Sequence, residues 1–176
     1  MPNYFVFNTP SNYLYSLLTN TYTAPAISST PEGDAAKSQI VYTLPFNTSV
    51  ASGQNLLIQV SNPSGSGKTM YVSRISGGTT AAATVNIYSG GTISGGSTPT
   101  PVNTYIGSSN TSVMTTKTNT GTLGGSPQTI LSLLVTAGLF SIDINGGIIV
   151  PPNTTLTATV GTGSLTASAN IMWWEY

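Results

Sequence analysis

Gly146-Gly147-Ile148-Ile149-Val150-Pro151-Pro152-Asn153-Thr154-Thr155-Leu156-Thr157-Ala158-Thr159-Val160 reads as an apolar strand, a proline corner and a Thr-alternating strand. Prolines lack the N–H that a central strand needs, so Pro151-Pro152 must end one strand before the next begins. The turn Gly161-Thr162-Gly163 then leads into the last strand. There Ile171, Trp173 and Glu175 share one face, while Met172, Trp174 and Tyr176 share the other.

The same grammar extends backwards to Ser38. Strands are expected at Gln39–Phe46, Asn55–Ser61, Lys68–Ser76, Ala83–Tyr88, Val102–Ile106, Ser112–Thr118, Thr129–Val135, Phe140–Ile144, Leu156–Val160 and Ala167–Trp174. Each is short and rich in Thr, Val, Ile or Tyr, and Gly, Pro, Ser and Asn clusters separate them. Such spacing predicts an all-β fold, a jelly-roll sandwich of about ten strands. A solvated sandwich strand is polar on one face. The last strand carries a Trp on both, and Leu56-Leu57-Ile58 and Ile148-Ile149-Val150 are also two-faced. One face fills the core; the other is expected to meet the arm, a neighbouring subunit or a ligand.

Before residue 37 the character changes. Residues 1–36 read as an N-terminal extended arm and 37–176 as the jelly-roll domain. The arm holds Tyr4-Phe5-Val6-Phe7, then a short helical turn around Tyr13, Leu14, Tyr15, Leu17 and Leu18 with Ser11 as its N-cap. The stretch Ala24–Asp34, with Pro25, Pro31 and Gly33, is expected to be an irregular linker. Ordering a backbone costs roughly 1–2 kcal/mol per residue. Burying one large apolar side chain returns roughly 1.5–3 kcal/mol. The arm therefore has to dock, either on its own domain or on a second copy as an added strand or in a groove.

Composition narrows the chemistry. Of 176 residues only four are Lys or Arg and four Asp or Glu, with no His and no Cys, while 29 are Thr and 23 Ser. Disulfides, thiolate nucleophiles and sulfur-ligated metals are excluded. The commonest general base is missing. Four cations cannot neutralise a nucleic-acid backbone, so no nucleic-acid partner is expected. No apolar run approaches a membrane span. Met1-Pro2-Asn3-Tyr4 lacks a basic residue and Tyr4–Phe7 is too short for an h-region, so the chain is expected to be made without a signal peptide. A surface with so little charge has little repulsion to oppose association.

Several motifs suggest chemistry and are read more plainly. Asn62-Pro63-Ser64-Gly65-Ser66-Gly67-Lys68-Thr69 departs from a phosphate loop because Asn62 stands where Gly is needed and a β-branched stretch follows instead of a helix. It is read as a hairpin. Asp143 beside Asn145-Gly146-Gly147 is read as a turn residue. Glu32 and Asp34 are the only acids close enough in sequence to suggest calcium, and nothing in the sequence supports the pair of carboxylates across a pocket that a glycosidase requires. A crosslink of Lys37, Lys68 or Lys117 to an Asn would need a buried acid beside it, for which Asp143 is available. Asn47-Thr48-Ser49, Asn110-Thr111-Ser112 and Asn153-Thr154-Thr155 match the glycosylation sequon, as a Thr-rich chain will by chance.

From Ser61 to Tyr176 the chain resembles the tumour-necrosis-factor-like jelly rolls of trimeric fibre proteins in Bacillus-type endospore appendages (pili) and phage virions. The residues that carry the likeness are the Asn62–Thr69 loop, Gly90-Gly91-Thr92-Ile93-Ser94-Gly95-Gly96, the Gly147–Asn153 corner and the Trp173-Trp174-Glu175 ending. The resemblance implies a homotrimer stacked into a filament through an N-terminal connector. The expectation is thus a non-enzymatic structural subunit of an extracellular fibre on a cell or spore surface, without cofactors or metals, its partners further copies of itself and an anchoring or tip protein. Tyr4, Phe5, Val6, Phe7, Tyr13, Leu14, Tyr15, Leu17, Leu18, Trp173 and Trp174 are the expected subunit-interface residues. Two alternatives stay open: a virion decoration or receptor-binding protein, and a carbohydrate-binding module using Tyr105 or Trp173 as a sugar platform.

Overall fold

A computed structural model describes residues 30–176, together with the backbone of a minimal pair, β1 (Asn8–Thr9) and β2 (Asn12–Tyr13). The domain follows as α1 (Pro31–Lys37), β3 (Val41–Val50), β4 (Asn55–Asn62), β5 (Met70–Thr79), β6 (Ala83–Ser89), β7 (Val102–Asn103), β8 (Thr115–Gly121), β9 (Gln128–Val135), β10 (Gly138–Val150), β11 (Thr154–Gly161) and β12 (Leu165–Glu175). Two antiparallel five-stranded sheets form, ordered β10-β5-β12-β3-β7 and β8-β4-β11-β6-β9. Consecutive strands from β3 to β6, and again from β9 to β12, alternate between the sheets. This gives the jelly roll, with β7 and β8 widening one side.

The Pro151-Pro152 corner is one such crossing. Ile148–Val150 pairs with β5, and Thr154–Gly161 lies between β4 and β6 in the other sheet. The Asn62–Thr69 loop is another. It is not the expected hairpin, because β4 and β5 belong to different sheets. Its shape is held by buried Asn62, whose amide donates to the carbonyls of Lys68 (2.8 Å) and Val150 (2.9 Å) while Ser66 Oγ donates to its Oδ1 (2.6 Å). The glycines serve a turn, not a phosphate.

Two further expectations are corrected. Thr30 to Lys37 is a capped helix, not linker: Thr30 Oγ1 accepts from Gly33 N at 3.1 Å, Pro31 stands in the first turn, and Glu32 and Asp34 lie at the end that favours acids. The helix sits on the domain, with Ala35 buried and Glu32 accepting from Ser73 Oγ of β5. Asn145-Gly146-Gly147 does not break the chain into two strands. It is a bulge within β10, where the register against β5 shifts between Asp143 and Ile148. Asn145 and Gly146 have positive φ, and a Cβ on Gly146 would lie 2.8 Å from the Trp174 indole. Asp143 is accordingly a strand residue, paired with Arg74 at 2.6 Å.

The main core lies between the sheets and includes Leu44, Leu56, Ile58, Val72, Ile75, Ile87, Leu156, Ile171 and Trp173. The two-faced apolar strand at Leu56-Leu57-Ile58 has its own explanation. Leu57 and Gln59 face outward yet are buried, because the 90–101 segment straps over this face. Gln59 Nε2 donates to Gly91 O, Thr157 Oγ1 to Gly90 O, and Asn119 Nδ2 to Ser94 O, and Ile93 is buried in the strap.

Candidate functional site

The two sides of the sandwich are finished differently. On the side of β7 and β8, the 104–114 loop is latched to the end of β12 by Glu175. This carboxylate is 3 % exposed. Its Oε1 accepts from Trp173 Nε1 (3.0 Å) and from Ser112 Oγ, and its Oε2 accepts from Val113 N (3.1 Å). Gln39, in the left-handed region at φ 60°, holds the same loop. Its backbone carbonyl accepts from Asn103 Nδ2 (2.8 Å) and its Oε1 from Ser108 Oγ (2.8 Å). Tyr42 packs tilted against Trp173, with centroids 6.3 Å apart. Burial raises its phenol above the ordinary range, and the Glu175 charge adds to this.

The opposite side ends on β9 and β10, consecutive strands joined by Thr136-Ala137. Each is the last strand of its sheet, bonded only to β6 and to β5 respectively. Their core-facing residues Leu131, Val135, Phe140, Ile142, Ile144 and Ile148 are only partly buried. Beside them Ile130 is 47 %, Leu134 88 % and Leu139 95 % exposed. β9 contains no charged residue and no proline, and β10 only Asp143, which Arg74 neutralises. Proteins normally protect an edge strand with a charge, a proline or a cover. Among the described residues none of these protections is present on β9, an eight-residue uncharged edge with Ile130 and Leu134 exposed.

The residues singled out in the sequence fall apart in space. Trp173 is 0 % exposed, so it belongs to the core and neither to a subunit surface nor to a sugar platform. Its hydrophobic area and its indole N–H are both satisfied within the chain. Trp174, on the other face, is half-buried and stacks on Tyr71 at 5.6 Å, 8° from parallel. Tyr105 is exposed, in the loop after the two-residue β7. Tyr4, Phe5, Val6, Phe7, Leu14, Tyr15, Leu17 and Leu18 lie outside the described residues, as does the side chain of Tyr13. Ile130, Leu134 and Leu139 were not singled out. The signal was the two-faced run Ile130-Leu131-Ser132-Leu133-Leu134, the same pattern as Leu56-Leu57-Ile58 but without a strap over it among the described residues.

The acids are likewise dispersed. Glu32 accepts from Ser73, Asp34 lies 3.6 Å from Lys37, Asp143 pairs with Arg74, and Glu175 is in the latch. Among the described residues no group of three His, Cys, Asp or Glu is placed to hold a metal ion. No protein-family model, curated protein or solved structure matches the chain.

Proposed function

We propose that the protein is a structural subunit that self-assembles: copies join through the open β9–β10 side, three to a ring, and the rings are linked into a fibre by the N-terminal arm. The observation that carries this reading is the open side itself, where half-buried core residues adjoin exposed Ile130 and Leu134 on β9, a strand without charge. Covering these side chains stabilises an assembly by roughly 25 cal/mol per Å² of apolar surface. The nearly uncharged composition supports the same reading, since little repulsion has to be overcome.

Negative-stain microscopy of the full chain and of a chain lacking residues 1–18 tests it. The full chain is expected to give filaments, and the truncated chain discrete small rings with the same melting temperature. Filaments from the truncated chain would remove the arm from the mechanism, and monomers from both would remove self-assembly altogether.

A further inference from the structure

The outer face of the β10-β5-β12-β3-β7 sheet carries a groove that its own domain leaves open. A cavity of about 500 Å³ is lined by Ser76, Gly77, Leu139, Phe140, Ser141, Ser168 and Asn170. A second of about 270 Å³, sharing Leu139 and Ser168, continues it past Gly78 towards Thr166 and Asn47. The groove exists because β5 carries Gly77-Gly78 where its neighbours carry side chains. A Cβ on Gly77 would meet Ser168 O at 2.0 Å and the Phe140 ring at 2.8 Å. Phe140 pairs with Gly77 across the strands, as an aromatic covering a strand glycine does. On the outward face, Gly78 leaves space between Leu139 and Ser168, each within 4 Å of where its Cβ would stand. No charged group lines either cavity; hydroxyls and amides alternate with an apolar wall.

We propose that this groove receives the Tyr4-Phe5-Val6-Phe7 segment of a second copy. The inference rests on the proposed self-assembly and names the surface that the arm would grip. The described domain begins at Thr30, and α1 is tied by Glu32 to Ser73 of β5, so the arm leaves from the same sheet that bears the groove. Ser73 and Gly78 are five residues apart on one strand, roughly 17 Å at 3.3 Å per residue. The pairing of Asn8–Thr9 with Asn12–Tyr13 turns the chain back on itself, and the sixteen residues from Leu14 to Ser29 can span up to about 53 Å. That reach is far more than the chain's own groove requires, and it exceeds the roughly 43 Å of the longest strand, β10 with 13 residues. Docking on its own groove would make the segment double back through a long slack loop, whereas docking on a neighbour uses the length. The segment is uncharged, like the groove. An extended Tyr-Phe-Val-Phe offers alternate side chains to the apolar wall and backbone to the hydroxyls.

The test places a photo-reactive phenylalanine at Ser168 in the full chain. This chain is mixed with ¹⁵N-labelled wild-type chain, assembled, irradiated and mapped by mass spectrometry. Crosslinks from Ser168 to residues 4–7 of the labelled copy are expected. Crosslinks confined to the arm of the same chain would overturn the proposal, as would crosslinks to a neighbour's β9–β10 or none at all. Gly78→Val, which fills the outward space, is expected to lower the yield roughly ten-fold or more and leave the melting curve in place. An unchanged yield in folded Gly78→Val protein would also overturn it. If Gly78→Val fails to fold, Ser168→Trp in the unlabelled copy, with the photo-reactive group moved to Ser141 of that same copy, fills the same space. Sedimentation of each sample separates the two readings. Assembled protein with crosslinks elsewhere refutes the groove and keeps self-assembly, whereas monomeric wild-type protein refutes both.

Discussion

The sandwich has a sealed side and an open side, built by the same fold from the same kinds of residue. On the sealed side two extra strands, β7 and β8, extend the sheets, and Glu175 and Gln39 lock the 104–114 loop against the end of β12. Core residues there, such as Trp173, Leu44 and Leu56, have no contact with solvent. On the open side, β9 and β10 stop with their inward residues half-covered and, among the described residues, no loop drawn across them. Folding alone can evidently close an edge in this chain. Apolar area left exposed at an edge favours whatever covers it, which is the premise of the proposed assembly.

The sharpest way to break the sealed side is Trp173→Ala. It removes the largest fully buried side chain and one of the three donors to Glu175, and should cost about 3–5 kcal/mol in urea unfolding. A loss below 1 kcal/mol would mean that this side is not the anchor of the core. Glu175→Ala should cost less, about 1–3 kcal/mol in all, because Trp173 Nε1, Val113 N and Ser112 Oγ lose their acceptor but the largely exposed 104–114 loop lets water take its place. Hydrogen exchange of the 104–114 amides should rise in this variant while β9 and β10 stay as they were. Protection unchanged at Val113 would show that the latch does not hold the loop.

Alkaline pH sharpens the same contrast. The Tyr42 phenol is raised above its ordinary 10.0 by burial first and by Glu175 second, with the Asn103 hydrogen bond opposing. The unfolded phenol thus ionises before the folded one. The stability that Tyr42 contributes is complete below about pH 10 and is lost as pH climbs through the higher folded value. Tyr42→Phe should flatten that alkaline fall in denaturant titrations, and an equally steep fall would assign it to other groups. The smallest effect belongs to Asp143→Asn. The Arg74–Asp143 pair is exposed on both sides, so its loss should stay within about 1 kcal/mol.

Much of the fold was legible because period-two patterns and turn residues are local. All ten domain strands lie where Thr-, Val- and Ile-rich runs stand between Gly and Pro clusters, and the faces of the last strand follow its alternation. What was not legible depended on partners distant in sequence. Pro31 and Gly33 read as linker until Thr30 is seen to cap α1. Asn145-Gly146-Gly147 reads as a turn until β5 supplies the register that makes it a bulge. Asn62–Thr69 reads as a hairpin because nothing local says that β4 and β5 belong to different sheets. Trp173 and Trp174 are alike in sequence, and only the position of the second sheet makes Trp173 core and leaves Trp174 half-buried on the outer face. For the candidate site, sequence pointed to the arm and passed over Ile130, Leu134 and Leu139. Their meaning comes from β9 and β10 being terminal strands on one side, which is a property of topology.

Sedimentation velocity of the chain lacking residues 1–18, with and without the double substitution Ile130→Glu/Leu134→Glu, tests the role of the open side most directly. A side covered by further copies predicts a species of three chains for the parent and a folded monomer with an unchanged melting curve for the double variant. A parent that sediments as a monomer at tens of micromolar, or a double variant that still associates, would contradict it.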